Sequence, residues 1–113
     1  MQYVNIKHLT KGPRDHQFDI VMRSPRSQVI LGALAPGHCS SRQPSVNKES
    51  DQIIYAVEGD GLARIGRVDH QIHAGCLLMI PAGRPYQLTN TGSARLLFLD
   101  FFAPPAYGEA GGK

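Results

Sequence analysis

Residues 75–90 read Gly75-Cys76-Leu77-Leu78-Met79-Ile80-Pro81-Ala82-Gly83-Arg84-Pro85-Tyr86-Gln87-Leu88-Thr89-Asn90. The apolar run Leu77–Ile80 stops at Pro81, which withholds the N–H that a continuing strand needs. The reversal Pro81-Ala82-Gly83 follows, and Gly83 takes a positive φ at almost no steric cost. Beyond it, Tyr86, Leu88 and Asn90 fall on one face of an alternating run, with Gln87 and Thr89 on the other. The spacing predicts two short strands joined by a turn.

The same pattern extends in both directions. Breakers recur every few residues, and no stretch of a dozen keeps a helical period. Strands are predicted at Tyr3–Ile6, Phe18–Met22, Gln28–Ala35, Gln52–Val57, Gly61–Arg67, His70–His73, Leu77–Ile80, Tyr86–Thr89 and Ala94–Phe102. Turn chemistry joins them at Ser24-Pro25, Pro36-Gly37, Glu58-Gly59-Asp60-Gly61 and Asn90-Thr91-Gly92. Many short strands with regular turns predict an all-β barrel or sandwich. One connection, Gly37 to Asp51, is long and polar, as functional loops in compact β domains often are.

The chain has 113 residues, which fits one domain. We divide it into N-terminal strands (1–27), a barrel core (28–102) and a flexible C-terminal tail (103–113). At 42% hydrophobic residues it is a folding chain. Its apolar stretches are far shorter than the ~20 residues of a membrane span. The polar start Met1-Gln2-Tyr3-Val4-Asn5 does not read as a signal peptide. Two cysteines, Cys39 and Cys76, make no disulfide framework, so a cytoplasmic location is expected. The net charge of +3 comes from cations scattered without a run, which argues against nucleic acid as a partner.

With those residues in place, residues 75–90 resemble the second motif of the cupin family, G-x5-P-x-G-x2-H-x3-N. Gly75, Pro81, Gly83 and Asn90 match, and Tyr86 stands where the family has histidine. In the first motif, Gly59 resembles the closing glycine, Gln52 falls at the glutamate position, and Gly37 resembles the opening glycine. The resemblance spans about residues 28–102 and implies a small antiparallel β-barrel of jelly-roll type. It also implies a homodimer paired through the outer barrel face and the N-terminal strands. Ile53, Tyr55 and Val57, opposite Gln52 on their strand, are apolar and need cover.

The family's metal, held by three histidines and a glutamate, loses every ligand here. Counted back from Gln52, the first-motif histidines fall near Ser45 and Asn47, or Val46 and Lys48. Counted from Gly37, they fall at Gln43 and Ser45, so the loop is two or three residues too long. Amides, hydroxyls and a phenol bind transition metals far less well than imidazole or carboxylate, so no metal and no cofactor are expected. His38 and Cys39, adjacent on the chain, face opposite ways on a strand, and His70 and His73 do the same.

Gln43, Ser45, Asn47, Gln52, Ile54, Tyr86, Leu88 and Asn90 are therefore the candidate lining of a ligand pocket. The expected function is metal-free binding of a small polar or sugar-like molecule. The alternative is a cupin dioxygenase, isomerase or lyase with an atypical metal site. Tyr86 either packs and contacts ligand or serves as a general acid.

Overall fold

The structure is a computed structural model and describes residues 1–10 and 17–108. Its strands are β1 (Gln17–Arg23), β2 (Gln28–Leu34), β3 (Asp51–Glu58), β4 (Asp60–Ile65), β5 (Val68–His73), β6 (Leu77–Ile80), β7 (Tyr86–Asn90) and β8 (Leu96–Ala103). They form two antiparallel sheets, β1-β2-β8-β3-β6 and β5-β4-β7. The sheets bury their alternating apolar residues against each other. Leu34, Ile54, Ile80, Leu96 and Phe98 from the larger sheet meet Ala63, Ile72, Tyr86 and Leu88 from the smaller. This is the expected jelly-roll sandwich.

The turns lie where the glycines and prolines put them. Gly59, between β3 and β4, has a φ of +94°, and Gly83, between β6 and β7, has +84°. At Gly59 a Cβ would also sit 2.4 Å from the Arg95 carbonyl oxygen, so both φ and space exclude other residues.

The segment Tyr3–Ile6 is not the expected strand. Instead Ile6–Leu9 makes one helical turn, α1, whose N-cap Asn5 accepts from the Lys7 N–H at 2.9 Å. The side chain offers the backbone a local partner, and no neighbouring strand competes for it. Ile6 packs against an outer apolar layer of Leu31, Ala33 and Leu97. Arg95 donates from Nη2 to the Thr10 carbonyl at 2.7 Å and ties this segment to the barrel.

The polar loop after β2 takes the place of a fourth strand beside β7. Cys39 bridges to Thr89 and Ser45 to Tyr86. The loop advances six residues between those bridges while β7 advances three; Ser40 still pairs with Leu88, so residues 41–44 bulge out. That bulge is the physical reason the two motif counts disagree.

Beyond β8 the chain turns back over one end of the sandwich. Gln28 donates to the Tyr107 carbonyl at 2.9 Å and accepts from the Ala106 and Tyr107 N–H groups at 3.1 Å. Ala106 and Tyr107, in the segment expected to be flexible, are held in this way, and the Pro104 carbonyl accepts from the Ser50 hydroxyl at 2.7 Å. Its last residues, 109–113, lie outside the described residues.

Candidate functional site

A cavity of about 130 Å³ lies between the sheets at the end covered by the returning tail. Its walls include Phe18, Leu34, Leu88 and Phe98, and its polar surface comes from Ser40, Ser45, Tyr86, Asp100 and Tyr107. β8 supplies Leu96, Phe98, Asp100 and Phe102 on its inner face by strict alternation. β7 supplies Tyr86 and Leu88 in the same way. β2 comes close enough that a Cβ on Gly32 would meet the Phe98 ring at 2.4 Å.

The polar groups form a directed chain. Asn47 Nδ2 donates to Gln52 Oε1 at 3.2 Å, and Gln52 Nε2 donates to Asp100 Oδ2 at 2.8 Å. The Tyr86 hydroxyl joins this chain through Gln52 and Asn47 and meets the Tyr107 hydroxyl. Tyr107 is fixed from behind by edge-to-face contacts with Phe18 and Phe102, with ring centroids 5.1 and 5.4 Å apart. The other oxygen of Asp100, Oδ1, is buried and has no hydrogen-bond partner among the described residues.

Burial sets the protonation of these groups. It pushes the Asp100 carboxyl up to about 8, against the opposing hydrogen bond from Gln52. Burial, and then the Asp100 charge, raise Tyr86 above the ordinary phenol range. Tyr107 is raised by burial first and by Tyr86 and Asp100 after it. At neutral pH the polar end of the cavity is a set of uncharged hydrogen-bonding groups.

The sequence candidates divide among five places. Ser45, Tyr86 and Leu88 line the cavity. Asn47 and Gln52 stand behind it, holding Asp100. Ile54 is fully buried in the core. Asn90 is buried and committed to backbone, donating to the Leu34 and Ala94 carbonyls and accepting from the Gly92 N–H, each at 2.8 Å. Gln43 is exposed, and its carbonyl accepts from the Ser41 hydroxyl.

Two site residues escaped the sequence reading. Asp100 is the single charge inside Leu96-Leu97-Phe98-Leu99-Asp100-Phe101-Phe102, at the inward register of Phe98 and Phe102, and that isolation was a usable signal. Tyr107 sits in a Pro/Gly-rich tail and left no such signal.

These residues do not fit the divalent ion that the family resemblance implies. The groups at the ligand positions are amides and a phenol already bonded to one another. The carboxyl they adjoin is held neutral. Among the described residues no three histidines, cysteines or carboxylates gather anywhere.

Fold and site together define a small jelly-roll barrel with a partly polar lumen. Residues 30–102 match the cupin domain pattern, and the chain belongs to that family. Solved structures agree. A protein from Thermus thermophilus is 30% identical, covering 92% of this chain and 98% of its own, with a TM-score of 0.80. A Bacillus halodurans protein is 24% identical, covering 94% and 83%, with a TM-score of 0.84, and speaks to the fold alone. A structure described as a cupin-superfamily sugar phosphate isomerase from Silicibacter pomeroyi is 26% identical, covering 71% and 52%, with a TM-score of 0.64. A sequence comparison with curated proteins finds no match.

Proposed function

We propose that this cupin binds a small polar molecule in its lumen without a metal, with Tyr86 and Asp100 recognising it and Asn47 and Gln52 positioning them. The observation that carries the reading is the cavity itself, an apolar chamber with a connected polar network at one end. That is the usual make-up of a small-molecule site. Its volume of about 130 Å³ equals that of roughly four waters. The fitting ligand therefore has about four to six non-hydrogen atoms, and a sugar-sized one requires Tyr107 to move aside.

A second reading, an isomerase, draws on the Silicibacter pomeroyi structure. Against it, among the described residues no lysine, arginine or histidine lines the cavity to meet a phosphate. Binding is the reading that the geometry supports best.

Two further features belong to this proposal. The chain pairs as a homodimer through the outer face of the larger sheet. There Tyr55, Leu77, Met79 and Phe101 are exposed and adjacent in register. It works in the cytoplasm, in keeping with two free thiols, Cys39 and Cys76.

The test is a thermal-shift screen of small polar compounds on wild type and Tyr86→Phe, together with elemental analysis of the purified protein. Hits that weaken in Tyr86→Phe are expected, with no stoichiometric transition metal. Hits indifferent to Tyr86→Phe move the ligand out of the lumen. One equivalent of metal, removed by chelator along with stability, overturns the metal-free reading.

A further inference from the structure

The hydrogen bonds of Asp100 leave one of its oxygens unaccounted for. The Asn47-to-Gln52-to-Asp100 chain runs in one direction, each amide donating to the next group. Oδ2 is therefore the accepting oxygen of Asp100. A carboxyl this buried, with no cation beside it among the described residues, is cheaper to hold as the neutral acid than as the anion. Its proton then belongs on the other oxygen, Oδ1, which has no partner among the described residues, on a side chain that lines the cavity. A buried donor without an acceptor is a costly feature for a fold to keep.

We propose that Asp100 acts as a neutral acid that donates from Oδ1 to a carbonyl-type oxygen of a small uncharged ligand seated against Phe98 and Leu88. The inference rests on the lumen-binding reading and names the ligand chemistry for it. The volume suits a ketone or amide of about four to six non-hydrogen atoms. Phe18 and Phe98 give its carbon skeleton an apolar bed.

The groups that bear on this protonation come from every packed element. β7 brings Tyr86 and the tail brings Tyr107, both raised and so neutral throughout the useful range. β3 brings the neutral Gln52, and the loop beside β7 brings Cys39. On β1, Asp19 accepts from Gln17, a residue of the cavity wall. The direction of the pH dependence follows. Affinity is flat while Asp100 is protonated, up to about pH 8. Above that it falls about tenfold per pH unit, because only the acid donates.

The experiment titrates the protein with butanone, n-propylammonium and propanoate. It follows methyl and ring resonances of Leu88 and Phe98, and the carboxyl carbon of Asp100, by NMR across the pH range. The expected result is butanone binding, with an affinity that declines above about pH 8. Asp100→Asn, whose amide both accepts from Gln52 and donates into the cavity, keeps the affinity within about threefold and abolishes the decline. Asp100→Leu loses it by about tenfold or more. The profile is repeated on Cys39→Ser as a control on the cavity wall.

Tighter binding of n-propylammonium, with affinity rising with pH and lost in Asp100→Asn, assigns Asp100 as an anion. That overturns the donor assignment but leaves lumen binding intact. Propanoate binding in the lumen keeps Asp100 as the donor, because two carboxylates would repel, and overturns the assignment of an uncharged ligand. If no probe shifts a lumen resonance, both the inference and the binding reading fall. The wild-type pH profile decides the matter even if a variant does not fold.

Discussion

Gln52 Nε2 stands 2.8 Å from Asp100 Oδ2, linking the inner face of β3 to the inner face of its neighbour β8. In the family pattern Gln52 occupies the place of a metal-binding glutamate. Here a neutral amide at that place holds a buried carboxyl from another strand. The polar centre of the barrel has become a hydrogen-bonded unit.

The burial of that carboxyl makes stability depend on pH. The folded state holds the Asp100 proton up to about pH 8, whereas the unfolded chain releases it near the ordinary value of 3.8. The native state therefore binds the extra proton between those limits. Its contribution to stability is full in acid, declines as pH rises, and is gone above the folded value. Urea midpoints measured across this window should fall in wild type, by up to roughly 1.4 kcal/mol per pH unit at the steepest. Asp100→Asn should flatten the curve.

Asn90 should behave as a structural residue. Its side chain satisfies two buried carbonyls and one N–H. Asn90→Ala strands these groups and should cost about 2–4 kcal/mol in chemical denaturation. Lumen binding measured well below the new melting temperature should remain.

Gly32 is kept small by the Phe98 ring, which a Cβ would meet at 2.4 Å. Gly32→Ala should destabilise by about 1–3 kcal/mol through overpacking. The double variant Gly32→Ala with Phe98→Leu should recover part of that loss. Differential scanning calorimetry of the cycle measures the coupling.

Tyr107 lines the cavity from the tail. Tyr107→Ala removes its contacts with Phe18 and Phe102 and enlarges the cavity. Larger polar ligands should then give thermal shifts that wild type does not show, at a stability cost of about 2–4 kcal/mol. An unchanged ligand-size limit would place the constraint elsewhere.

The outer sheet face should govern association. Light scattering is expected to give twice the chain mass at micromolar concentration. Leu77→Glu with Met79→Glu, both at exposed positions, should shift it to the monomer with circular dichroism unchanged. A wild-type monomer would refute the pairing.

The jelly roll was legible in the amino-acid order because its signals are local. Glycines accept positive φ, prolines end strands, and alternation sorts side chains to two faces. Gly75, Pro81, Gly83 and Asn90 carried the family likeness because turn geometry is specified by single residues at fixed spacing. The same alternation placed Gln52 and Tyr86 inward. Where local signals were weak the reading failed, as at Tyr3–Ile6, where the Asn5 cap prevails over a strand with no partner.

The site, by contrast, comes from long-range packing. The bulge at residues 41–44 set which loop residue faces what, and no spacing rule counts across a bulge. The assembly of Asp100, Gln52 and Tyr107 joins two strands and a tail, with Gln52 far from the other two in the chain. Its protonation is a property of burial, which exists only once the sheets have closed over it.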